Sequence, residues 1–389
     1  MTILFICLAY IFINKVKVDN SVFINNSLLK SDVLYKGLIG ARDFTFDDKG
    51  NIYVAFKNKI QFIDKNGDSF KILQNGDYNI SSIVFFKKHL YFSSNNEILE
   101  YDTIDKKEKV LMDDLPNFGD YPESLLLIDN GVIYITIGSA TNSSVVSSDN
   151  KWLSDYPYFC DISPRNLMLN GICYGKNATA PYSIYKTKAE QGEIILSYFP
   201  GNSSIITYEI ETEKRELYVT GIRNVCGIDK SSDDKIYVSV GGIENRGARP
   251  VYNDVDYIYE IEKGVWYGFP DYSGGDPVNS PRFFGPNNEI TPICLDNPPS
   301  SNPPGPYYQH DKINSLGSLA IDKEGSLGEA DTIYFYDKSE KSIYSLSENG
   351  VMKKEIYFND KSYIKSIKIN DEKLFILDSY KGFLYKFTK

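Results

Sequence analysis

A chain of 389 residues exceeds most single domains, although repeat folds and barrels use this length as one unit. Hydrophobic residues make up 42%, ample for a core, and their weight in Tyr (31) and Phe (22), with Ile and Val, favours strands over helices. The net charge of −10 argues against a nucleic-acid surface while leaving room for a local cationic pocket.

Ile3–Ile13 is an apolar run of about signal-peptide length, shorter than the roughly 20 residues of a membrane span. Residues 1–20 are therefore expected to be an export signal or short membrane anchor, putting the rest outside the cell or on the outer face of a membrane. A buried first strand is the alternative. Bulky Ile6 before Cys7 speaks against a lipoprotein cleavage site. Export would permit disulfides among Cys160, Cys173, Cys226 and Cys294. Cys160 and Cys173 share one candidate insertion and are the first pairing expected, with four separate thiols as the alternative. The spacings fit no zinc site.

From Phe44 onward one pattern recurs: an apolar strand, a polar turn, a Tyr-rich strand, a second turn and an aromatic-alternating strand. Copies begin near Phe44, Ile80, Ser124 (resuming at Ile205), Cys226, Leu316 and Ile364. Period-2 alternation between Asp/Asn/Gly/Lys turns marks antiparallel hairpins. A single such sheet cannot bury both its faces, whereas six arranged radially can. The expectation is an all-β, six-bladed β-propeller over residues 32–389, with a strand near Asp32–Tyr35 completing the last blade. Residues 139–204 interrupt the third copy, and the Pro-rich stretch 266–311 follows the fourth. Long loops on a rigid scaffold commonly carry function, and both are expected over one face.

Individual residues offer few chemical signatures. Asp64–Asp68 (DKNGD) begins like a calcium loop but lacks its later Gly and Glu, and reads as a hairpin turn. His89 lies in a Lys-Lys-His turn and reads as a surface residue; His310 precedes the fifth copy and is a candidate pocket residue. Neither GxSxG nor HExxH is present. Arg223 and Asn224 start the fourth copy where a strand would enter the central channel, and an Arg fork there suits carboxylates, or equally a blade-to-blade salt bridge. Asp254 and Asp256 either bind calcium or cap a turn.

Arg223-Asn224, the run to Val240-Gly241-Gly242, Asp256 before a short strand, and Tyr267-Gly268-Phe269-Pro270 follow one another in an order that resembles the glucose/sorbosone dehydrogenase family. Ile135-Thr136-Ile137-Gly138 and His310…Leu316-Gly317 extend the likeness. The resemblance implies a six-bladed propeller that binds pyrroloquinoline quinone (PQQ) and calcium and oxidises sugars. It assigns Arg223, Asn224 and Lys365 to the quinone, with Lys338 near the place of another family Lys, and the carbonyls of Gly242 and Ile243 to the calcium. The family's catalytic His corresponds here to Tyr121, whose phenol, ordinarily titrating near 10, is a poor base at neutral pH. Glu123 is a possible substitute.

Two functions follow. One is a PQQ-dependent sugar dehydrogenase with an altered base. The other is an exported, non-catalytic propeller that binds a sugar, a glycan or a protein surface. In both, the partner expected in the axial pocket is a small sugar or glycan and not a nucleic acid.

Overall fold

The computed structural model describes residues 22–359 and 361–389; the N-terminal apolar run with Cys7 lies outside the described residues. Six antiparallel sheets form the blades of a β-propeller. Their innermost strands are Ala41–Phe46, Ile80–Phe86, Leu126–Asp129, Val225–Lys230, Leu316–Asp322 and Ile364–Asn370, and each touches the next around a closed ring.

Period-2 alternation explains why the blades stack. In Ile52–Phe56 every residue is buried, yet Tyr53 and Ala55 face the second blade while Ile52, Val54 and Phe56 face the sixth. Blade two repeats the device, with Leu90 and Phe92 toward blade one and Tyr91 toward blade three. A hydrophobic cluster fills each of the joints between successive blades. The large aromatic content is spent there, because wedge-shaped gaps between twisted sheets need long side chains to reach across.

The N-terminal strands complete the ring. Lys30–Tyr35 pairs with Phe383–Thr388 as the outer strand of blade six, and Val22–Ile24 adds a fifth strand to blade five through Ile356–Phe358. The sheets therefore take in residues upstream of position 32, and blade six joins an N-terminal strand to the C-terminal one.

Three excursions rise on the face from which the innermost strands start. Residues 138–203 leave from Val132–Ile137, residues 241–256 from Ile236–Val240, and the Pro-rich stretch climbs beside Arg215–Thr220 through a parallel Thr220–Trp266 bridge. The first and third share a core of Val145, Leu167, Leu169, Trp266, Cys294 and Leu295, joined by a Leu169–Leu295 bridge. The expected Cys160–Cys173 disulfide does not form. Cys160 packs near Trp152 while Cys173 belongs to the Leu167 cluster, and all four described cysteines are free thiols. Among the described residues no helix is long and apolar enough to cross a membrane.

Candidate axial site

Where the six innermost strands meet, they enclose an axial cavity of about 530 Å³. Its wall is built from strand residues such as Asp43, Ser82, Asp229, Ser318 and Ser366. Its mouth, on the side of the long loops, carries Arg42, Tyr121, Glu123, Asn224, Lys338, Tyr363 and Lys365. The deep wall is largely self-satisfied. Asp43 accepts from the Ser82 and Ser366 hydroxyls at 2.9 and 2.8 Å and from the Ile83 amide at 2.9 Å, with Lys368 at 3.2 Å. These bonds tie blades one, two and six together.

Tyr121 comes into place because Gly138 allows it. A Cβ at Gly138 would lie 2.6 Å from the Tyr121 Cβ and carbonyl oxygen, so the Ile137-Gly138 strand end and the Tyr121 turn can touch only with glycine there. The phenol donates to Glu244 Oε1 at 2.7 Å and accepts from Arg223 and, at 3.3 Å, from Arg246. Arg223 is buried under it, with the guanidinium 4.5 Å from the ring centroid. Its other donors go to the Asn142 carbonyl and side-chain oxygens, both at 2.8 Å, and to Glu244 at 3.1 Å. Arg246 reaches Asp120 at 2.7 Å and Asp149 at 2.8 Å.

This network determines the protonation states. Burial pushes the Tyr121 phenol up to about 12, Arg223 opposing and Glu244 adding to the rise. For Glu244 burial acts upward, but the Tyr121 hydroxyl and the charges of Arg223 and Arg246 prevail and bring it down to about 2. Tyr121 is thus a neutral phenol whose proton faces Glu244 and whose oxygen lone pairs face two arginines. Glu244 is a weak base with its carboxylate engaged. Neither group can take a proton from a sugar hydroxyl near neutral pH.

The other expected site residues separate into two groups. Asn224 and Lys365 line the mouth, Asn224 donating to Cys226 Sγ at 3.6 Å and Lys365 pairing with Glu123 at 2.8 Å. Glu123 precedes blade three and Lys365 belongs to blade six, opposite it in the ring, so this pair spans the mouth. Arg223 does not line the cavity; Tyr121 and Glu244 lie over it. His310 also lies away from it, buried with Nδ1 3.2 Å from the Tyr308 hydroxyl and Nε2 3.4 Å from Asp337. A pocket role for His310 is therefore replaced by a structural one in the joint between blades four and five.

Asp254 and Asp256 are amide acceptors in this structure rather than cation ligands. Asp256 accepts from the amides of Gly242 and Asn314, both at 3.1 Å, Ser315 at 2.6 Å and Leu316 at 2.8 Å. Asp254 accepts from the Ile243 amide at 2.6 Å and the Tyr257 hydroxyl at 2.5 Å. With their lone pairs so committed, these two carboxylates do not make a calcium cage. Among the described residues no three His, Cys, Asp or Glu side chains converge as metal ligands. Their work is to pin the Gly242-Ile243 backbone, where a Cβ on Gly242 would overlap the Val255 carbonyl oxygen. A quinone tricarboxylate fits the cavity in volume and finds cations in Arg42, Lys338 and Lys365, but it does not find Arg223, nor a base at position 121.

Glu244, Asn142 and Arg246 escaped the sequence reading. Their only local signal is the Glu-Asn-Arg tripeptide directly after Gly241-Gly242-Ile243. Asn142 comes from an insertion about a hundred positions earlier in the chain.

Comparisons with known proteins agree on the architecture. No family model matches the chain, and no curated protein matches it. Among solved structures, a calcium structure of a Trichoderma reesei carbohydrate-active enzyme of family AA12 superposes with a TM-score of 0.63 at 13% identity, covering 95% of this chain and 97% of that one. The holo PQQ domain of pyranose dehydrogenase from Coprinopsis cinerea gives 0.61 at 12% identity with the same coverage. The apo soluble aldose sugar dehydrogenase of Escherichia coli gives 0.60 at 12%, covering 92% and 99%. The chain is a six-bladed propeller with its long loops over one end of the axis. More particularly, its fold is that of the soluble sugar dehydrogenase propellers, and at these identities the likeness is one of fold.

Proposed function

We propose that this protein is a sugar dehydrogenase-like propeller that binds a carbohydrate in its axial cavity without oxidising it. The observation that carries this reading is the closed Tyr121–Glu244–Arg223 cluster. The position that the resemblance gives to the base is a protonated phenol, and Arg223, one of the two cations it gives to the quinone, is spent on Asn142, Glu244 and Tyr121. What remains at the mouth suits a polyhydroxylated ligand: Asn224 and Glu123 offer donors and acceptors, and Tyr363, half exposed at the rim, offers an aromatic face. The run Ile3–Ile13 supports an exported or outer-face location.

Quinone-dependent oxidation is the second reading, favoured by the three cations Arg42, Lys338 and Lys365 around a cavity of adequate size. PQQ would supply a hydride acceptor, and Lys338 and Lys365 would hold its carboxylates. Glu123 would then be the remaining carboxylate able to face a sugar hydroxyl. One experiment separates the two. Purified protein is mixed with PQQ and calcium, and both cofactor absorbance and dye reduction are followed across an aldose panel, with sugar binding measured in parallel by ligand-observed NMR. Sugar binding without cofactor uptake is the expected result. Micromolar quinone uptake with sugar-dependent dye reduction would overturn it.

A further inference from the structure

The charges at the cavity mouth do not cancel locally. Lys368 is neutralised by Asp43, and Lys365 by Glu123. The Asp120 carboxylate is engaged by Arg246, Asn150 and Trp152, and Asp229 accepts from the amides of Lys230 and Ile321 at 2.8 Å each. Among the described residues, two cations are left without a carboxylate at ion-pair distance. Arg42 uses one nitrogen on neutral oxygens, Asn79 Oδ1 and the Ile80 carbonyl, both at 2.9 Å. Lys338 has no side-chain hydrogen-bond or ion-pair partner among the described residues. Burial works against its charge, but the neighbouring Cys226, Asp256, Tyr363 and Glu123 hold its amine above the ordinary lysine value, so it stays an ammonium.

These cations share one side of the mouth, because Lys338 directly follows the blade-five strand Thr332–Asp337, Lys365 lies on blade six and Arg42 on blade one. The Glu123 carboxylate already reaches over from the opposite side to Lys365 at 2.8 Å, with Glu123 and Lys365 both partly exposed. A carboxylate belonging to the chain itself therefore occupies part of this cationic arc.

From this we infer that the carbohydrate taken by the cavity is a sugar acid. Its carboxylate lies among Lys338, Lys365 and Arg42 and displaces Glu123 from Lys365, and its ring lies toward Tyr363. Charge-assisted bonds to a carboxylate that replaces water on Lys338 distinguish such a ligand from its neutral parent. The inference rests on the carbohydrate-binding reading and adds the charge of the ligand to it.

The test is titration calorimetry of the full-length protein with glucuronate and galacturonate, beside glucose, galactose and PQQ, at low and high salt. At least one sugar acid is expected to bind about tenfold or more tightly than its neutral parent, with the difference shrinking in salt. In Lys338→Met that ratio should fall to within about twofold, whereas in Glu123→Gln, which removes the internal competitor, acid binding should tighten. Glu123 is partly exposed, so its variant reports even where Lys338→Met fails to fold. Neutral sugars binding as well as the acids would overturn the inference and leave the carbohydrate reading standing. Binding of neither class would end both. Tight PQQ binding with no sugar-acid binding would assign the cations to the quinone and overturn the inference as well.

Discussion

At the scale of single residues, the hydrogen bonds of Tyr121 fix the chemistry of one side of the mouth. The sequence led to the expectation of a poor base at Tyr121, but the groups that hold its phenol were not legible, since Glu244 and Arg246 lie more than a hundred positions away. The consequence can be measured. Glu244 titrates at about 2 in the fold against an ordinary value near 4.5, so the folded state favours its carboxylate. The stabilisation is fully present above pH 4.5 and is lost as pH falls toward 2. The shift corresponds to about 3 kcal/mol. In acid denaturation series, Glu244→Gln should lose that limb, the stability gap between the two proteins narrowing from pH 5 to pH 2. A gap that stays constant over this range would mean that Glu244 is not ionically coupled to Arg223 and Arg246. Tyr121→Phe removes one hydrogen-bond donor and acceptor while leaving both ion pairs to Glu244, and should cost about 1–2 kcal/mol in chemical denaturation. A loss near the Glu244→Gln value would show that the phenol organises the cluster.

At the scale of elements, the interruptions of the repeat were legible and their stitching was not. Residues 139–204 and 266–311 stood out because neither keeps the period-2 alternation. Nothing in them announced that Arg249, in the Gly247-Ala248-Arg249-Pro250 segment of a third loop, would bind them together. Its guanidinium is wholly buried, 2.6 Å from Asp271 and 2.9 and 3.0 Å from the Pro270 and Pro292 carbonyls, and Ser143 donates to its own carbonyl at 2.6 Å. Asp271 in turn accepts from the amides of Cys294 and Leu295. This joint holds the three loops without a disulfide. Breaking a buried pair from one side leaves an uncompensated charge, so Arg249→Met should cost about 3–5 kcal/mol and raise hydrogen exchange in 140–200 and 268–296. Burial already lifts the Asp271 carboxyl above its ordinary value, with Arg249 restraining the rise. Once Arg249 is gone the carboxyl can protonate in place, so the variant should be hurt less at pH 5 than at pH 8. A pH-independent loss would mean that packing of the long side chain, and not its charge, holds the loops.

For the whole molecule, the ring explains why a six-fold repeat could be read from one chain while its closure was only half legible. Each blade needs both neighbours, because Tyr53 and Val54 on one strand face different joints, and an open ring would expose a complete hydrophobic face. The strand near Asp32–Tyr35 was expected because the last copy is short of strands. Val22–Ile24 was not, since blade five already has four and a fifth has no counterpart in the repeat. The two additions differ in what they protect. Among the described residues, removing 1–27 takes away the outermost strand of blade five, whereas removing 1–35 also deletes Leu29, which packs in the joint between blades five and six, and bares the edge of Phe383–Thr388. An unpaired edge carrying Leu384, Tyr385 and Phe387 beside an unfilled joint is a template for association. The shorter truncation should therefore elute in the same association state as the intact chain with a lowered melting temperature, and the longer one should aggregate or lose its cooperative transition by size-exclusion chromatography and thermal melting. If the longer truncation melts like the intact chain, the joint between blades six and one, filled by Phe44, Val54, Phe375 and Leu377, is enough to hold the ring shut without the N-terminal strand.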